Sequence, residues 1–338
     1  MPYMKNATSR IVAVLLSLLV VLAAGCADDG GPNNGGTEDA TDDVSQDAAA
    51  DAGDVAEDAD DATADADAGD SDIPLTCEFP EPMVAGTAQT DALADDPAQC
   101  GQPSYQWLRD PGLGDVVEFG VENEFQASLI EGVIISQDVE PPEGIEHDVT
   151  LKQFMYKTQD RGEFIDATGM IAYPQDVDAS EPLDVMLLLH GTTGFMDDCA
   201  PSTDTASQAL AALFASLGYF VVAPDFIGLK GMGDPSEFLH PYLVGQATAI
   251  AALDSVRAAG KMSAEERGGY CLTNDVMVFG GSQGGHAALW VDRLQPYYAR
   301  EFDLLGTIAT VPPADLVGQM ERALDSFENS TGNTIAFL

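Results

Sequence analysis

One stretch of this 338-residue chain limits its fold more than any other: Asp275-Val276-Met277-Val278-Phe279, then Gly280-Gly281-Ser282-Gln283-Gly284-Gly285-His286, then Ala287-Ala288-Leu289-Trp290-Val291. The first segment is a short apolar run of strand type, and the last has helical composition. The glycine-rich middle must turn one into the other within a few residues. Such a turn brings two backbones together, and Gly280 and Gly284 lack the side chains that would hold them apart. Ser282 then occupies a strained conformation, with its hydroxyl exposed above the edge of a sheet.

The surrounding pattern supports a sheet. Val185-Met186-Leu187-Leu188-Leu189 is a continuous apolar run, as expected of a strand covered on both faces. After it come a helix over 205–217 with Ser202, Thr203 or Asp204 available as cap, a strand over 219–223 and a helix over 242–259. The strand at 276–279, the helix at 283–294 and a strand at 304–310 follow, and Pro313-Ala314-Asp315 opens a last helix. Upstream, 147–157 and 163–173 are β-type runs joined by Thr158-Gln159-Asp160-Arg161-Gly162, a hairpin signature. Alternation of this kind predicts the α/β class, a mostly parallel sheet wrapped by helices.

The N-terminal part reads differently. Lys5 and Arg10 precede an apolar run over 11–24, too short for a comfortable membrane span, which ends in Leu22-Ala23-Ala24-Gly25-Cys26. The ending resembles a bacterial lipobox, which implies that 1–25 is a signal peptide cleaved before Cys26 and that the Cys26 sulfur carries lipid. Ala27 after the cysteine fits export to the cell envelope, with anchoring in the outer membrane. Residues 26–72 form a low-complexity Asp/Ala-rich segment with no basic residue, predicted to be a disordered acidic tether. Residues 73–140 read as an irregular lead-in, helical in part around 125–130. The net charge of −44 argues against a nucleic-acid partner, whose phosphates demand Lys and Arg. Besides Cys26 there are Cys77, Cys100, Cys199 and Cys271, an even number that in an exported chain predicts two disulfides. Three pairings exist, and the sequence neighbours Cys77–Cys100 and Cys199–Cys271 are preferred. No spacing resembles a zinc site, and neither a metal nor another cofactor is expected.

The chemistry concentrates on Ser282. Strand, G-x-S-x-G turn and helix make a nucleophile elbow, and His190-Gly191-Thr192-Thr193-Gly194 directly follows the first buried strand. A loop there supplies one backbone N–H to an oxyanion hole, from Thr192 or alternatively Thr193, and Gln283 supplies the second. Each donor is worth about 3–4 kcal/mol of barrier. With Gly218-Tyr219-Phe220-Val221-Val222-Ala223-Pro224-Asp225-Phe226-Ile227-Gly228 and His240-Pro241-Tyr242-Leu243, these ordered motifs resemble the α/β-hydrolase superfamily, and within it the secretory lipase branch. The resemblance implies an α/β-hydrolase domain over 141–338, with a helical cap starting near 313. It also implies a serine carboxylester hydrolase acting on lipid or small esters through an acyl-enzyme on Ser282.

The remaining polar residues fit structural duties: His190 and Asp225 holding loops, His240 making a structural hydrogen bond, His286 packing on its helix and Asp315 capping. The family order of serine, acid, histidine is not completed, because no histidine follows His286. The expectation is therefore a fragment, lacking strands seven and eight and by itself poorly active. A peptidase or acyltransferase on the same scaffold is one alternative, and a non-catalytic surface binding lipoprotein is another.

Overall fold

The computed structural model describes residues 79–80, 107–136, 141–142, 144–179 and 181–325. The expected signal peptide, Cys26, the acidic tether, Cys77 and Cys100 lie outside the described residues. Seven strands form one sheet: β1 (Val116–Phe125), β2 (Val149–Asp160), β3 (Glu163–Pro174), β4 (Leu183–Leu189), β5 (Phe220–Pro224), β6 (Leu272–Gly281) and β7 (Asp303–Thr310). Their order is β1-β2-β3-β5-β4-β6-β7. The β1–β2, β2–β3 and β3–β5 pairs are antiparallel, while β5, β4, β6 and β7 run parallel. The helices are α1 (Ala127–Ser136), α2 (Thr205–Ser216), α3 (Gly245–Lys261), α4 (Gln283–Tyr298) and α5 (Leu316–Asp325).

The apolar strands are buried on both sides because successive side chains point to opposite faces. In β4, Val185, Leu187 and Leu189 join α3 and α4 in one core, while Met186 and Leu188 join α1 and α2 in another. In β5, Phe220 and Val222 take the first face and Val221 and Ala223 the second. Asp204 is the cap of α2, its side chain accepting from the Ser207 N–H. Helix α3 is alanine-rich and buried almost all round, which lets it lie close against the sheet.

The chain passes from β4 to β5 on one side, then crosses back to place β6 on the other. The connections that follow β4 and β6 thus diverge to opposite faces, α2 to one and α4 to the other. A crevice at the carboxyl ends of the strands at such a reversal is where open α/β sheets bind ligands. Ser282 and the His190–Gly194 loop flank this crevice.

Two parts depart from expectation. Residues 116–125, which showed only mixed character in sequence, form a full strand. Its pairing with β2 is interrupted by register shifts, and Glu118, Glu122 and Glu124 line this outer strand, so no period of two survives. The preferred Cys199–Cys271 disulfide is not formed. Cys199 is a free thiol packed beside Gly194, in the connection after β4 at the carboxyl end of the sheet. Cys271 precedes β6 at the opposite end and is disulfide-bonded, so it does not pair with the free Cys199. A bridge needs its two Cα atoms within about 7 Å, which opposite ends of neighbouring strands cannot provide.

A buried ionic cluster fastens α3 to the ends of β2 and α4. The Arg257 guanidinium donates to Glu301 (2.6 Å), Asp254 (2.8 Å) and the Tyr298 carbonyl (2.7 Å). Asp254 also accepts from Thr158 (2.7 Å) and from the Tyr298 hydroxyl (3.0 and 2.9 Å). Removing the Arg257 guanidinium leaves the buried Asp254 and Glu301 carboxylates without it. Arg257→Ala is therefore expected to lose about 3–5 kcal/mol of folding free energy, read as a lower midpoint in urea unfolding.

Candidate active site

Ser282 has φ 54° and ψ −117°, a conformation that L residues rarely adopt, and its side chain is exposed while Gly281 and Gln283 on either side are buried. Two glycines make this geometry attainable. A methyl group on Gly280 would lie 2.1 Å from the Gly284 carbonyl oxygen, and one on Gly284 would lie 2.0 Å from the Leu189 oxygen. The elbow is further held by the Ser282 N–H donating to Thr310 O of β7 (3.0 Å) and the His286 N–H donating to Ser282 O (3.0 Å). Gln283 is the first residue of α4, so its N–H has no acceptor within the helix and stands at the positive end of the helix dipole.

The loop after β4 runs beside the elbow, with the Cβ position of Gly191 3.5 Å from Gly281 O. The Thr192 hydroxyl shares a 2.9 Å hydrogen bond with the Tyr242 hydroxyl, whereas the Thr193 hydroxyl is buried without a partner. His190 packs at a tilt against Phe226 (4.2 Å between ring centroids, 33° between planes), with Nδ1 2.6 Å from Gly191 O and Nε2 3.3 Å from Asp225 O. Burial pushes its pKa down to about 4 against the pull of these two carbonyls. Both ring nitrogens face backbone, which fits loop-holding and leaves neither for a serine hydroxyl.

His240 is likewise spent. Its Nδ1–H donates to Ile227 O (2.8 Å), which leaves Nε2 a lone pair to accept from the Gln283 side-chain amide (2.7 Å). Burial lowers its pKa as well. His286 is buried, with its ring facing the backbone of Leu243 and Pro313 and Nε2 unpartnered. Asp225, fully buried, accepts from the Ser202 N–H (2.7 Å), the Ser202 hydroxyl (2.6 Å) and the Thr168 hydroxyl (2.7 Å). Desolvation raises its pKa to about 6 despite these donors. It ties loops together, as its place at the end of a strand suggested. Asp315 caps α5 by accepting from the Gly318 N–H (2.9 Å). Among the described residues, no histidine or carboxylate is hydrogen-bonded to the Ser282 hydroxyl.

The strand order, the strained serine between β6 and α4 and the apposed loop after β4 decide the architecture. The fold is that of the α/β-hydrolases. A crystal structure of the rice cell wall degrading esterase LipA from Xanthomonas oryzae is similar at a TM-score of 0.51 and 26% identity, over 62% of this chain and 53% of that one. The secretory lipase family matches residues 201–331. Lipase 9 and Lipase 5 of Candida albicans are each 34% identical over 128 residues, 32% of this chain. The chain spans about a quarter of the length of these curated relatives. The likeness therefore falls on the lipase and esterase side of the α/β-hydrolases, and the family match lies over the half of the domain that holds the elbow.

Sequence reasoning missed Tyr242, whose hydroxyl reaches the loop after β4, and Asp197, whose carboxylate accepts from Lys230 N and Ser236 N (both 2.8 Å). Tyr242 carried a signal, since it sits in the His240–Leu243 motif.

Two outcomes test this geometry. Gly284→Ala drives a methyl group into the Leu189 and His190 carbonyls and is expected to yield little folded protein. Gly306→Ala, with open space around it, is expected to fold normally; soluble yield and circular dichroism compare the two. In NMR titration the His190 imidazole is expected to have its midpoint near 4, so it stays neutral as pH falls through the usual histidine range. The unfolded chain takes up that proton first, so His190 withdraws stability as pH drops from about 6.5 toward 4.

Proposed function

We propose that this chain carries the nucleophile and oxyanion hole of a serine carboxylester hydrolase. Ser282 attacks the ester carbonyl, the alcohol leaves, and water releases the acyl group from the serine. The backbone N–H groups of Thr192 and Gln283 stabilise the oxyanion of each tetrahedral intermediate. One observation carries the reading: a non-glycine residue held at φ 54° with its hydroxyl exposed at the start of a helix. Strain of this kind, about 1–3 kcal/mol, persists at functional sites where the surroundings enforce it.

Support for an acyl or lipid substrate comes from the likeness to lipases and from exposed apolar side chains near the crest. Phe195 and Met196 follow the oxyanion loop, Phe238 and Leu239 precede His240, and Val311 follows β7. The acid and histidine that activate Ser282 come, in this reading, from sequence beyond Leu338. The same reading has the enzyme exported, with Cys26 lipidated and residues 26–72 spacing the catalytic domain from a bacterial envelope membrane.

A fluorophosphonate probe tests the central claim on the full-length gene product. The expected result is a single adduct on Ser282, with hydrolysis of a p-nitrophenyl ester reduced about a million-fold by Ser282→Ala. An adduct elsewhere, or hydrolysis that survives the substitution, overturns it.

A further inference from the structure

The two proposed oxyanion donors sit on different connections, Thr192 after β4 and Gln283 after β6, whose backbones are packed at Gly191 and Gly284 but whose side chains at 192 and 283 do not bond each other. One short segment touches both. The Tyr242 hydroxyl bonds the Thr192 hydroxyl (2.9 Å), and His240, two residues earlier, accepts from the Gln283 side chain (2.7 Å). We propose that His240 and Tyr242 are positioning residues that set the spacing of the oxyanion hole, with the His240–Tyr242 segment acting as one brace across both loops. The proposal deepens the hydrolase reading and rests on it.

The brace itself is firmly held. His240 Nδ1–H is anchored on Ile227 O, so its tautomer is fixed and Nε2 can only accept. Gln283 must then present its amide N–H to the ring, which leaves its Oε1 buried and unpartnered. The side chain therefore has a single hydrogen-bond contact, the one with His240, to hold it. From below, the His240 ring lies parallel to Phe226 (6.4 Å, 3° between planes), and Phe226 in turn packs on His190 at the root of the oxyanion loop. From above, Phe195 of that loop meets Tyr242 edge-on (5.2 Å) and His240 at a tilt (6.4 Å). The main chain is forced into place as well. Phe226 and Leu243 adopt φ 66° and 56°, and a methyl group on Gly228 would lie 2.4 Å from His240 N. The rings of Phe195 and Phe226 therefore pin a segment whose two polar tips each contact one donor residue.

Neither tip touches the reacting atoms, so each acts only through its partner. Removing an oxyanion donor outright costs about 100- to 1,000-fold in kcat, and loosening one is expected to cost about 10-fold. Tyr242→Phe and Thr192→Val keep shape while deleting one arm, and His240→Phe and Gln283→Met do the same for the other. All four leave the backbone donors in place. Each single variant is expected to lower kcat about 10-fold on a p-nitrophenyl ester, with KM nearly unchanged. Within an arm the double variant is expected to be no worse than the single ones, whereas Tyr242→Phe combined with His240→Phe multiplies the losses. Hydrogen exchange reads the same claim without turnover. Tyr242→Phe is expected to speed exchange in the peptide covering 190–195 and spare that covering 282–288, and His240→Phe to do the reverse.

Wild-type kcat in the variants of a protein that is labelled at Ser282 would overturn the brace and leave the hydrolase reading standing. Losses that multiply within an arm would overturn it too. A wild-type protein that neither hydrolyses esters nor takes the probe overturns the hydrolase reading. The exchange pattern then decides the brace alone, and equal or absent responses in the two peptides reject it.

Discussion

The site depends on three stretches of backbone being closer than side chains would allow. The end of β4, the end of β6 and the first turn of α4 meet at Gly280 and Gly284, where a single added methyl group on either would fall about 2 Å from a carbonyl oxygen. That contact obliges the chain to reverse from strand to helix at one residue, and the residue is a serine. Ser282 is strained because its neighbours are packed, and not because of anything in its own chemistry. The cost is offset by burial elsewhere. Ala287, Ala288, Val291 and Leu294 carry the inner face of α4 into the core that β4 and β6 share, and each apolar side chain of valine or leucine size fully buried contributes about 1.5–3 kcal/mol.

The same packing aligns the electrostatics. Because α4 begins immediately after Ser282, its free N-terminal amides and the positive end of its dipole come to the crest with no further device. Because β4 lies beside β6, the loop that follows β4 reaches the same crest from the other side. Topology, through the reversal of strand order at β4, thus brings Ser282, Gln283 and the Thr192 loop to one crest from residues about ninety positions apart.

What was legible in the sequence follows from this. Glycines at Gly280 and Gly284 report backbone contact, and the unbroken apolar runs of β4 and β5 report burial on two faces, so the parallel sheet and the elbow could both be read. Strand β1 could not, because its bulged pairing and glutamate-rich composition erase the alternation that marks a strand. The fate of Cys199 and Cys271 could not either, since proximity in sequence says nothing about which end of a sheet a residue occupies. Tyr242 was visible only as part of a motif; its partner Thr192 lies fifty residues away, and only the fold brings the hydroxyls together.

The neutrality of the imidazoles bears on how the proposed oxyanion hole would work. A protonated His190 would satisfy both of its carbonyl neighbours and would add positive charge near a developing oxyanion, so two local effects favour it. Desolvation outweighs them and holds the ring neutral, with a pKa near 4; His240 is lowered by the same cause. In the proposed hydrolase, an oxyanion would therefore be stabilised by fixed dipoles, which need no proton and do not titrate. One unit above its pKa a group is about nine-tenths deprotonated, so His190 stays uncharged across the neutral range. In the proposed hydrolase, an acidic limb in turnover at neutral pH would therefore not come from His190.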